Sequence, residues 1–452
     1  MHVFGSSGVR GVAGEELTPQ DAMQVAQAAG SVWTTDTERV AVARDTRTTG
    51  RTYENAVTSG FTGVGFDVDR LGIVPTPGLQ AYCESEGVPG LMVTASHNPP
   101  AYNGIKLIGP EGVELTRETL DDVERALAEE PTHATWDRMG TDRRVESARR
   151  AYETGILASV DRDRIAGADL TVVVDPGHGA GALVSPGLFR ELGCTVHTVN
   201  AQPDGHFPGR NPEPVAATLG DLRSYVAATD ADLGIAHDGD GDRAMFVDER
   251  GEHIDGSAMF AALAAAELED GDGVVSAVNA SQRLVDVVEE AGATLSLTPI
   301  GSTYIVSRIR ERQAAGTHVP IAGEGNGGVL FPNYRIARDG AYTAARFCEL
   351  LADRSARELV APYDDYYNVR RNLHVDDESA RESMLAGIEA HATDADAELD
   401  TTDGWRLDYG DGWVLARPSG TEPVVRVYAE ARAPERAEEL AGQMVGAAER
   451  GG

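Results

Sequence analysis

The stretch LGIAHDGDGDR, from Leu233 to Arg243, places a short apolar run directly before three closely spaced aspartates. An apolar run of this length predicts a buried strand, and the polar residues after it mark the end of the strand. Similar runs at 40–43, 91–95, 170–174 and 274–278 also end in polar or glycine-rich clusters. Because amphipathic helical patterns alternate with these runs, the sequence predicts repeated βαβ units in an α/β fold.

Three carboxylates at Asp238, Asp240 and Asp242 are separated by single glycines. Glycine permits a tight turn, so the three carboxylates can converge on one hard cation. The alternative is an acidic surface loop. An EF-hand also deserves comparison, since Glu249 falls at position 12 of such a loop. However, Arg243 stands where that loop needs glycine, and the flanking residues have the pattern of strands. We therefore favour a metal-binding turn.

The domain organisation is predicted from the chain length and from changes in sequence pattern along the chain. Division of 452 residues by about 150 suggests roughly three domains. The stretch 129–144 is polar and has no regular apolar period, which predicts a first domain boundary. Sequence typical of strands occurs again near 406–415 and 424–429. We expect three similar α/β domains and a smaller C-terminal α+β domain, with boundaries at 1–140, 150–246, 250–360 and 365–452.

Charge and composition exclude several classes of protein. The chain has 73 acidic and 39 basic residues and a net charge of −34, which argues against nucleic acid or anionic lipid as partner. Lys106 is the one lysine, so 39 − 1 = 38 basic residues are arginine. This acidic, lysine-poor composition suits a salty medium and is similar to that of proteins from salt-accumulating archaea. Three distant cysteines predict neither disulfides nor a zinc site. We find no signal-peptide pattern and no 18-residue apolar run, and expect a cytoplasmic protein without membrane contact.

Ser96 follows an apolar strand within Thr94-Ala95-Ser96-His97-Asn98-Pro99. Ligand chemistry in α/β proteins gathers at this end of a strand, so Ser96 is a candidate nucleophile or phosphate carrier. Taken alone, its commoner role would be a helix N-cap. The adjacent His97 is no evidence for a base, because neighbours along an extended strand point apart.

Lys106 lies ten residues after Ser96. Lysine can lose its proton whereas arginine cannot, so a general acid or base fits this position better than a stray surface lysine.

Two further loops have the composition of ligand-binding segments. Arg417-Pro418-Ser419-Gly420-Thr421-Glu422-Pro423, followed by Arg426, combines guanidinium groups, hydroxyls and a glycine turn, which suit a phosphate. An ordinary turn between strands is about as compatible with this motif. Gly323 to Gly328 is a weaker candidate, in which Glu324 and Asn326 could bind sugar hydroxyls.

The set of motifs resembles the α-D-phosphohexomutase family, which includes phosphoglucomutases, phosphomannomutases and phosphoglucosamine mutases. The matching segments occur in the order of the family, span nearly the whole chain and lie at 4–11, 94–99, 238–243, 323–328 and 417–426. The resemblance implies four domains around a central cleft, three of them similar α/β domains and the last a smaller α+β domain.

The resemblance also implies a mechanism. Ser96 would be a phosphoserine that exchanges its phosphoryl group with a sugar phosphate through a bisphosphorylated sugar, which also primes the enzyme. The Ser96 phosphate and the three aspartates would hold Mg²⁺. The implied catalytic residues are Ser96, Lys106, Arg10 and His97. The implied substrate-binding residues are Arg243, Glu324, Asn326, Arg417, Ser419, Gly420, Thr421 and Arg426.

The sugar loop departs from the family pattern of dual glucose and mannose enzymes. Asn326 and Gly328 stand where that pattern has serine and histidine, and Ser302 stands where some members have histidine. This loop is more similar to that of archaeal phosphoglucosamine mutases, so glucosamine phosphate is the expected substrate. Glucose, mannose and pentose phosphates stay open, as does the choice between monomer and homodimer. The rival hypotheses are a metal-dependent phosphatase and a non-enzymatic Ca²⁺- or sugar-binding module.

Overall fold

The computed structural model describes residue 4 and residues 8–33, 38–419 and 424–451. The chain divides into two compact units, the first made of Met1–Met259 and Asn326–Val360, the second of Phe260–Gly325 and Ala361–Gly452. Each is described by itself below. The strands of the described residues are β1 (Val9–Val12), β2 (Arg39–Arg44), β3 (Asp67–Ile73), β4 (Gly90–Val93), β5 (Tyr102–Ile108), β6 (Asp142–Arg144), β7 (Thr171–Asp175), β8 (Thr195–Thr198), β9 (Leu233–His237), β10 (Ala244–Val247), β11 (Gly273–Ala277), β12 (Thr294–Thr298), β13 (Ile321–Gly323), β14 (Val329–Phe331), β15 (Arg335–Arg338), β16 (Tyr367–His374), β17 (Glu398–Asp400), β18 (Trp405–Asp408), β19 (Gly412–Pro418) and β20 (Val424–Ala431).

The helices follow the strands along most of the chain, as a βαβ pattern requires. They are α1 (Pro19–Val32), α2 (Gly50–Gly63), α3 (Thr76–Glu86), α4 (Arg117–Leu127), α5 (Ala148–Ala158), α6 (Arg162–Gly167), α7 (Ser185–Glu191), α8 (Gly220–Ala227), α9 (Gly256–Glu267), α10 (Gln282–Glu290), α11 (Ser302–Ala314), α12 (Gly340–Leu350), α13 (Ala356–Val360), α14 (Glu378–Asp394) and α15 (Pro434–Gly451). Among the described residues, no helix combines the length and the apolar character needed to cross a membrane.

The first sheet of the first unit has six strands in the order β1-β5-β4-β2-β3-β6. Strand β2 runs parallel to β3 and β4, whereas β5 is antiparallel to β4 and β1. The stretch predicted to be a domain boundary, 129–144, therefore contributes an edge strand, β6, which pairs with β3. All three residues of β6 are exposed, so this strand is defined by backbone pairing and has no apolar pattern that could reveal it.

Helix α1 begins at Thr18-Pro19-Gln20-Asp21, where the sequence itself predicts an N-cap, a proline at the first helical position and an acidic residue two positions later. Thr18 caps the helix, its side chain accepts from the N–H of Asp21, and the Asp21 carboxylate accepts from the N–H of Thr18, with Pro19 at the first helical position. The helix packs on α2, where Trp33, just after α1, stacks on Phe61 with ring centroids 5.6 Å apart. Burial of these faces forms the apolar core of this sheet.

The second sheet of this unit has the order β10-β9-β7-β8. Strand β9 is parallel to β7 and antiparallel to β10, so the aspartate segment 238–243 connects two adjacent antiparallel strands. A turn follows β10, in which the N–H of Asp248 donates to the carbonyl of Glu252. The pairing of β9 with β10 fixes both ends of the aspartate segment on buried strands.

The second unit contains two different sheets. Strand β11 lies between β12 and β13 and is parallel to both, as in the other α/β segments. The C-terminal sheet is antiparallel, with the order β16-β20-β19-β18-β17. Helices α14 and α15 contribute to its core through Ile388, Leu440 and Met444, all wholly buried. The α+β fold predicted for the C-terminal part of the chain is therefore present.

Candidate active site

The aspartate loop lies between β9 and β10 in the first unit. Asp238, Asp240 and Asp242 are at most 1% exposed, and each offers a carboxylate oxygen within 4.8 Å of the others. Gly241 has φ +71°, a conformation that glycine adopts without strain. A Cβ on Gly239 would lie 2.6 Å from the carbonyl oxygen of Ser96, so this glycine allows the serine loop to approach.

The donor set of this loop fits a hard divalent cation. Oδ1 of Asp240 and Oδ1 of Asp242 are buried and have no hydrogen-bond partner among the described residues. Buried carboxylate oxygens without partners are costly unless a positive charge offsets them. Oxygen ligands from carboxylates are those that Mg²⁺ prefers. The three aspartates could therefore hold such an ion.

Two cationic side chains lie against the triad. Lys106 Nζ donates to Asp240 Oδ2 at 2.7 Å and to Asp242 Oδ2 at 2.9 Å, and Arg338 NH2 lies 2.8 Å from Asp242 Oδ2. The hydroxyl of Thr76 donates to Asp240 Oδ2 at 2.6 Å. Sequence reasoning missed Arg338 and Thr76. Arg338 lies 96 positions after its partner Asp242, and Thr76 lies 164 positions before its partner Asp240, so no local pattern links them.

The surroundings shift the pKa values of the aspartates in different directions. Burial and the charges of Asp242 and Asp240 raise the pKa of Asp238 well above its ordinary value. Burial also acts to raise the pKa of Asp242, but Arg338 and Lys106 outweigh it and hold that pKa far below the ordinary value. The neighbouring charges thus act in opposite directions on two carboxyl groups of one loop.

Lys106 lies in β5, paired with Met92 of β4, and is 2% exposed. Burial acts to lower its pKa, but Asp240 and Asp242 outweigh burial and the pKa is raised. In this arrangement Lys106 carries its proton at neutral pH. Its role in proton transfer stays a prediction.

Ser96 follows β4 in a left-handed conformation with φ +49° and is 1% exposed. Its Oγ donates to Asp238 Oδ2 at 2.7 Å, and its N–H donates to Thr94 Oγ1 at 2.8 Å. No helix begins at Ser96, because the next element is β5, so the N-cap alternative was wrong. The backbone turns its hydroxyl toward the aspartate loop instead.

His97 does not point away from Ser96, which corrects the expectation for neighbours on an extended strand. Its Nδ1 lies 3.3 Å from Ser96 Oγ, because the left-handed backbone of Ser96 breaks the alternation of an extended chain. The charge of Arg243, then burial and Arg10, hold the pKa of His97 far below its ordinary value. The imidazole is therefore neutral beside the serine.

Arg47 is a further residue of the site that the sequence did not reveal. It is 1% exposed, pairs with Asp45 at 3.1 Å, and donates to the carbonyls of four residues of the serine loop: Ser96, Asn98, Pro99 and Tyr102. In the sequence, Asp45 and Arg47 mark only the end of a strand. Their role depends on hydrogen bonds from Arg47 to carbonyls that lie 49 to 55 positions later in the chain.

Arg10 and Arg243 are also close to this cluster. Arg10 donates from NH1 to Asn98 Oδ1 at 3.0 Å, within the serine loop. Arg243 Nε lies 4.0 Å from Asp238 Oδ2 and 4.0 Å from Asp242 Oδ1. The structure of the first unit thus brings together Ser96, His97, Lys106, Arg10, Arg243 and the three aspartates.

The two sugar-loop residues belong to different units. Asn326, in the first unit, accepts the N–H of Gly328 on Oδ1 at 3.0 Å, and Gly327 accepts the N–H of Ala244 at 3.1 Å. This part of the loop is therefore attached to the start of β10, next to the aspartate segment. Glu324, in the second unit, directly follows β13 and is 7% exposed.

The predicted phosphate loop joins β19 and β20 in the second unit. Arg417 and Arg426 occupy directly opposite positions of the two strands. Asp403 lies 3.0 Å from Arg417 Nε, and the N–H of Ser419 donates to the carbonyl of Val424. Like charges at opposite positions destabilise a strand pair, and Asp403 offsets one of the two charges, at Arg417. Gly420 and Thr421 lie outside the described residues.

Comparison with known proteins gives matches along almost the whole chain. Four family models match in order: Phosphoglucomutase/phosphomannomutase alpha/beta/alpha domain I at residues 1–134, domain II at 150–251, domain III at 255–366, and the C-terminal domain at 372–447. The predicted architecture of three α/β domains and a distinct C-terminal domain is confirmed. The exact boundaries stay predictions.

Individual relatives match over similar lengths. A phosphoglucomutase/phosphomannomutase of Thermococcus kodakarensis is 41% identical, over 97% of this chain and 96% of the relative. A probable phosphoglucosamine mutase of Methanopyrus kandleri is 41% identical, over 98% and 96%. Among solved structures, a phosphoglucomutase/phosphomannomutase family protein of Burkholderia thailandensis is 28% identical with a TM-score of 0.86, covering 100% of this chain and 97% of that one.

Proposed function

The chain belongs to the phosphoglucomutase/phosphomannomutase family and is an isomerase of the mutase type, and from that premise we propose that it interconverts glucosamine 6-phosphate and glucosamine 1-phosphate. The observation that carries the proposal is the contact between Ser96 Oγ and Asp238 Oδ2 at 2.7 Å, inside a buried carboxylate triad. A serine hydroxyl at a cation site is the arrangement that phosphoryl transfer needs.

In the first transfer, Ser96 carries the phosphoryl group. The 1-hydroxyl of the sugar attacks phosphorus, so a new O1–P bond forms and the bond between phosphorus and Ser96 Oγ breaks. The hydroxyl loses a proton and Ser96 Oγ gains one. The product is a sugar 1,6-bisphosphate and free Ser96.

In the second transfer, the bisphosphate is bound in the opposite orientation. Ser96 Oγ attacks the 6-phosphate, so the Oγ–P bond forms and the bond between phosphorus and O6 breaks. Ser96 releases a proton and O6 gains one. The sugar leaves as the 1-phosphate, and the phosphoserine is restored. Any external bisphosphate serves only to prime unphosphorylated Ser96.

The residues around Ser96 have distinct proposed roles. Arg10 and Arg243 offset the negative charge of the phosphoryl group, as transfer chemistry requires. We assign proton exchange to Lys106, since it is the one lysine of the chain and lies ten residues from Ser96. Neutral His97 can donate or accept a hydrogen bond at Ser96 Oγ. Mg²⁺ held by the triad and the Ser96 phosphate would supply charge neutralisation at the phosphoryl oxygens.

Recognition of the sugar phosphate is assigned to the remaining candidates. We propose that Arg417, Ser419, Gly420, Thr421 and Arg426 bind the phosphate that does not react, since guanidinium groups at opposite register positions and nearby hydroxyls suit an anion. Glu324 and Asn326 would bind sugar hydroxyls or the amino group. A carboxylate at Glu324 attracts the ammonium of glucosamine, which glucose and mannose lack.

The choice of glucosamine rests on the Asn326 version of the loop and on several relatives described as probable phosphoglucosamine mutases at 37 to 41% identity. The alternative is glucose or mannose phosphate, favoured by the name of the T. kodakarensis relative. A panel of glucosamine, glucose, mannose and ribose phosphates, with Mg²⁺, high salt and a trace of bisphosphate, tests the choice. We expect the highest kcat/KM with glucosamine phosphate, and a higher value with glucose or mannose phosphate would overturn it.

The same assay distinguishes a mutase from a phosphatase. A mutase gives the isomeric sugar phosphate in ³¹P NMR without accumulating inorganic phosphate, and release of phosphate without isomer contradicts the proposal. Intact mass before and after phosphatase treatment reports the phosphoserine. Ser96→Ala should lose both the covalent phosphate and the activity, whereas Ser59→Ala, at an exposed position of α2, should keep both.

A further inference from the structure

A cavity of about 530 Å³ lies in the first unit and contains none of the residues assigned to catalysis or substrate recognition. Its lining includes five arginines and two glutamates: Arg44, Arg51, Arg70, Arg144, Arg149, Glu54 and Glu146. The formal charge of this lining is 5 − 2 = +3, in a chain whose net charge is −34. We propose that this cavity, which we call the arginine cavity, binds a small molecule with two or more phosphate groups.

Two of the arginines are held in place by protein groups. Glu54, 4% exposed, accepts from Arg44 Nε at 2.9 Å and from Arg70 Nε at 3.1 Å. Arg70 also donates to Asn55 Oδ1 at 2.7 Å. A guanidinium fixed by such contacts loses less conformational entropy when it binds an anion. These contacts therefore give the cavity a preorganised wall.

The other three arginines carry uncompensated charge. Arg51, Arg144 and Arg149 make no side-chain hydrogen bond or ion pair with any residue that the structure describes. Arg144 is the register partner of Arg70 on the neighbouring strand β6, and Arg70 is itself compensated by Glu54 and by Asp142 at 3.5 Å. The uncompensated charge of the cavity therefore belongs to Arg51, Arg144 and Arg149.

The charge and the shape of the cavity define the class of ligand. A single phosphate carries about −1.5 to −2 near neutral pH, which is less than three unpaired guanidinium groups can accept. Leu71, Ile73, Val145 and Leu183 add an apolar part to the lining. Cavities of this size hold small-molecule ligands. A ligand with a carbon skeleton and two or more phosphates matches both the arginines and the apolar lining. A sugar bisphosphate and a nucleoside polyphosphate are two such ligands.

The arginine cavity is physically connected to the serine loop. Arg44 NH1 donates to the carbonyl of Asp45 at 3.2 Å, and Asp45 Oδ2 accepts the hydroxyl of Thr94 at 2.7 Å. Thr94 Oγ1 in turn accepts the N–H of Ser96. The binding proposal itself is independent of the reaction assigned above.

The test is calorimetric titration of the full-length protein with inorganic pyrophosphate in metal-free buffer at fixed low salt. The variant Arg51→Glu/Arg149→Glu reverses two unpaired charges of the cavity. The matched control Arg138→Glu/Arg250→Glu changes the net charge equally at two exposed arginines outside it. We expect the cavity variant to weaken binding by about tenfold or more and the control to bind as the unaltered protein does. Equal effects of both variants, or none, would overturn the proposal.

A second measurement does not depend on how the variants fold. Hydrogen exchange of the unaltered protein with and without pyrophosphate should show protection at residues 50–54, 70–73 and 144–149. Absence of protection there would also overturn the site. Separate titrations with ATP and with a hexose bisphosphate, each compared between cavity variant and control, distinguish the two sources. The ligand whose affinity falls selectively in the cavity variant is of the class that the cavity takes.

Discussion

Arg47 shows how one buried charge can organise the serine loop. Its guanidinium donates to four backbone carbonyls of the serine loop and pairs with Asp45, and both side chains are wholly buried. Five N–H groups in a planar fork make this number of contacts possible, and lysine cannot reproduce it. Arg47 bonds to backbone carbonyls of the loop rather than to Ser96 Oγ, so we assign it as a positioning residue for the left-handed turn at Ser96.

Arg47→Lys is therefore expected to lower kcat by about 100-fold while KM changes little, because the charge stays but the loop loses its fixed geometry. Steady-state kinetics measure this split, and Arg138→Lys, at an exposed position, serves as control. A folded Arg47→Lys protein with unchanged kcat would contradict the positioning role. Arg47→Met leaves Asp45 buried without its partner and should lower the free energy of unfolding by about 3–5 kcal/mol.

The aspartate triad gives a second prediction, about metal binding. A cation that binds only the folded protein stabilises it by about 2.7 kcal/mol at a concentration 100 times Kd. Mg²⁺ should raise the unfolding temperature of the unaltered protein, and a chelator should abolish the mutase activity. Asp240→Asn should remove the Mg²⁺-dependent rise, whereas Asp376→Asn, at an exposed position, should retain it. A rise of equal size in both variants would place the ion elsewhere.

Among the elements, helix α10 depends on a residue from another sheet. Glu430, in β20, is 1% exposed and accepts from Ser281 Oγ at 3.0 Å, from the N–H of Gln282 at 2.6 Å, and from Arg283 NH1 at 3.2 Å. The Nε1 of Trp413 adds a fourth contact at 3.3 Å. A carboxylate at a helix N-terminus satisfies N–H groups that have no partner within the helix.

Glu430→Ala should lower the free energy of unfolding by about 3–5 kcal/mol, because it leaves buried Arg283 without its carboxylate. Denaturant unfolding measures the loss, and Glu435→Ala, in the exposed first turn of α15, is the matched control with an expected change within about 0.5 kcal/mol. Equal stability of the two variants would show that Glu430 adds nothing to this junction.

At the scale of the whole molecule, net charge dominates the response to salt. With a net charge of −34, the folded chain carries strong self-repulsion when it is poorly screened. Raising KCl from about 0.1 M to about 1 M shortens the Debye length from ~10 Å to ~3 Å. The unfolding temperature should rise over this range, most steeply at its lower end, as measured by scanning calorimetry. A flat or falling curve would contradict this view of the acidic surface.

The sequence was most informative where a local pattern has a local cause. The apolar runs predicted the central strands, and Thr18 to Asp21 predicted the start of α1, because periodicity and capping depend on neighbours in the chain. The aspartate spacing predicted that three carboxylates converge, for the same reason, whereas their burial was not predicted. Ser96 was found as a candidate, but its left-handed conformation was not, since that depends on contacts across the fold.

Residues that act through distant contacts gave no signal in the sequence. Arg47, Thr76 and Arg338 are ordinary in their local setting, and their partners lie from 49 to 164 positions away. Edge strand β6 is polar throughout, so it has no apolar period. Family resemblance supplied roles for Arg417 and Asn326 that the bare residues left open. The sequence therefore predicted the residues that bear the chemistry of the site, but not the residues that hold them in position.

The first unit is built from two separate stretches of chain, which has a consequence for synthesis on the ribosome. Asp242 belongs to the first stretch and its partner Arg338 to the second, 338 − 242 = 96 residues later. At about 5–20 residues per second, translation of that interval takes roughly 5–20 s. During this time the nascent chain carries its three aspartates without Arg338. The growing polypeptide thus completes the surroundings of its aspartate triad only after the first stretch of the second unit, Phe260–Gly325, has been made.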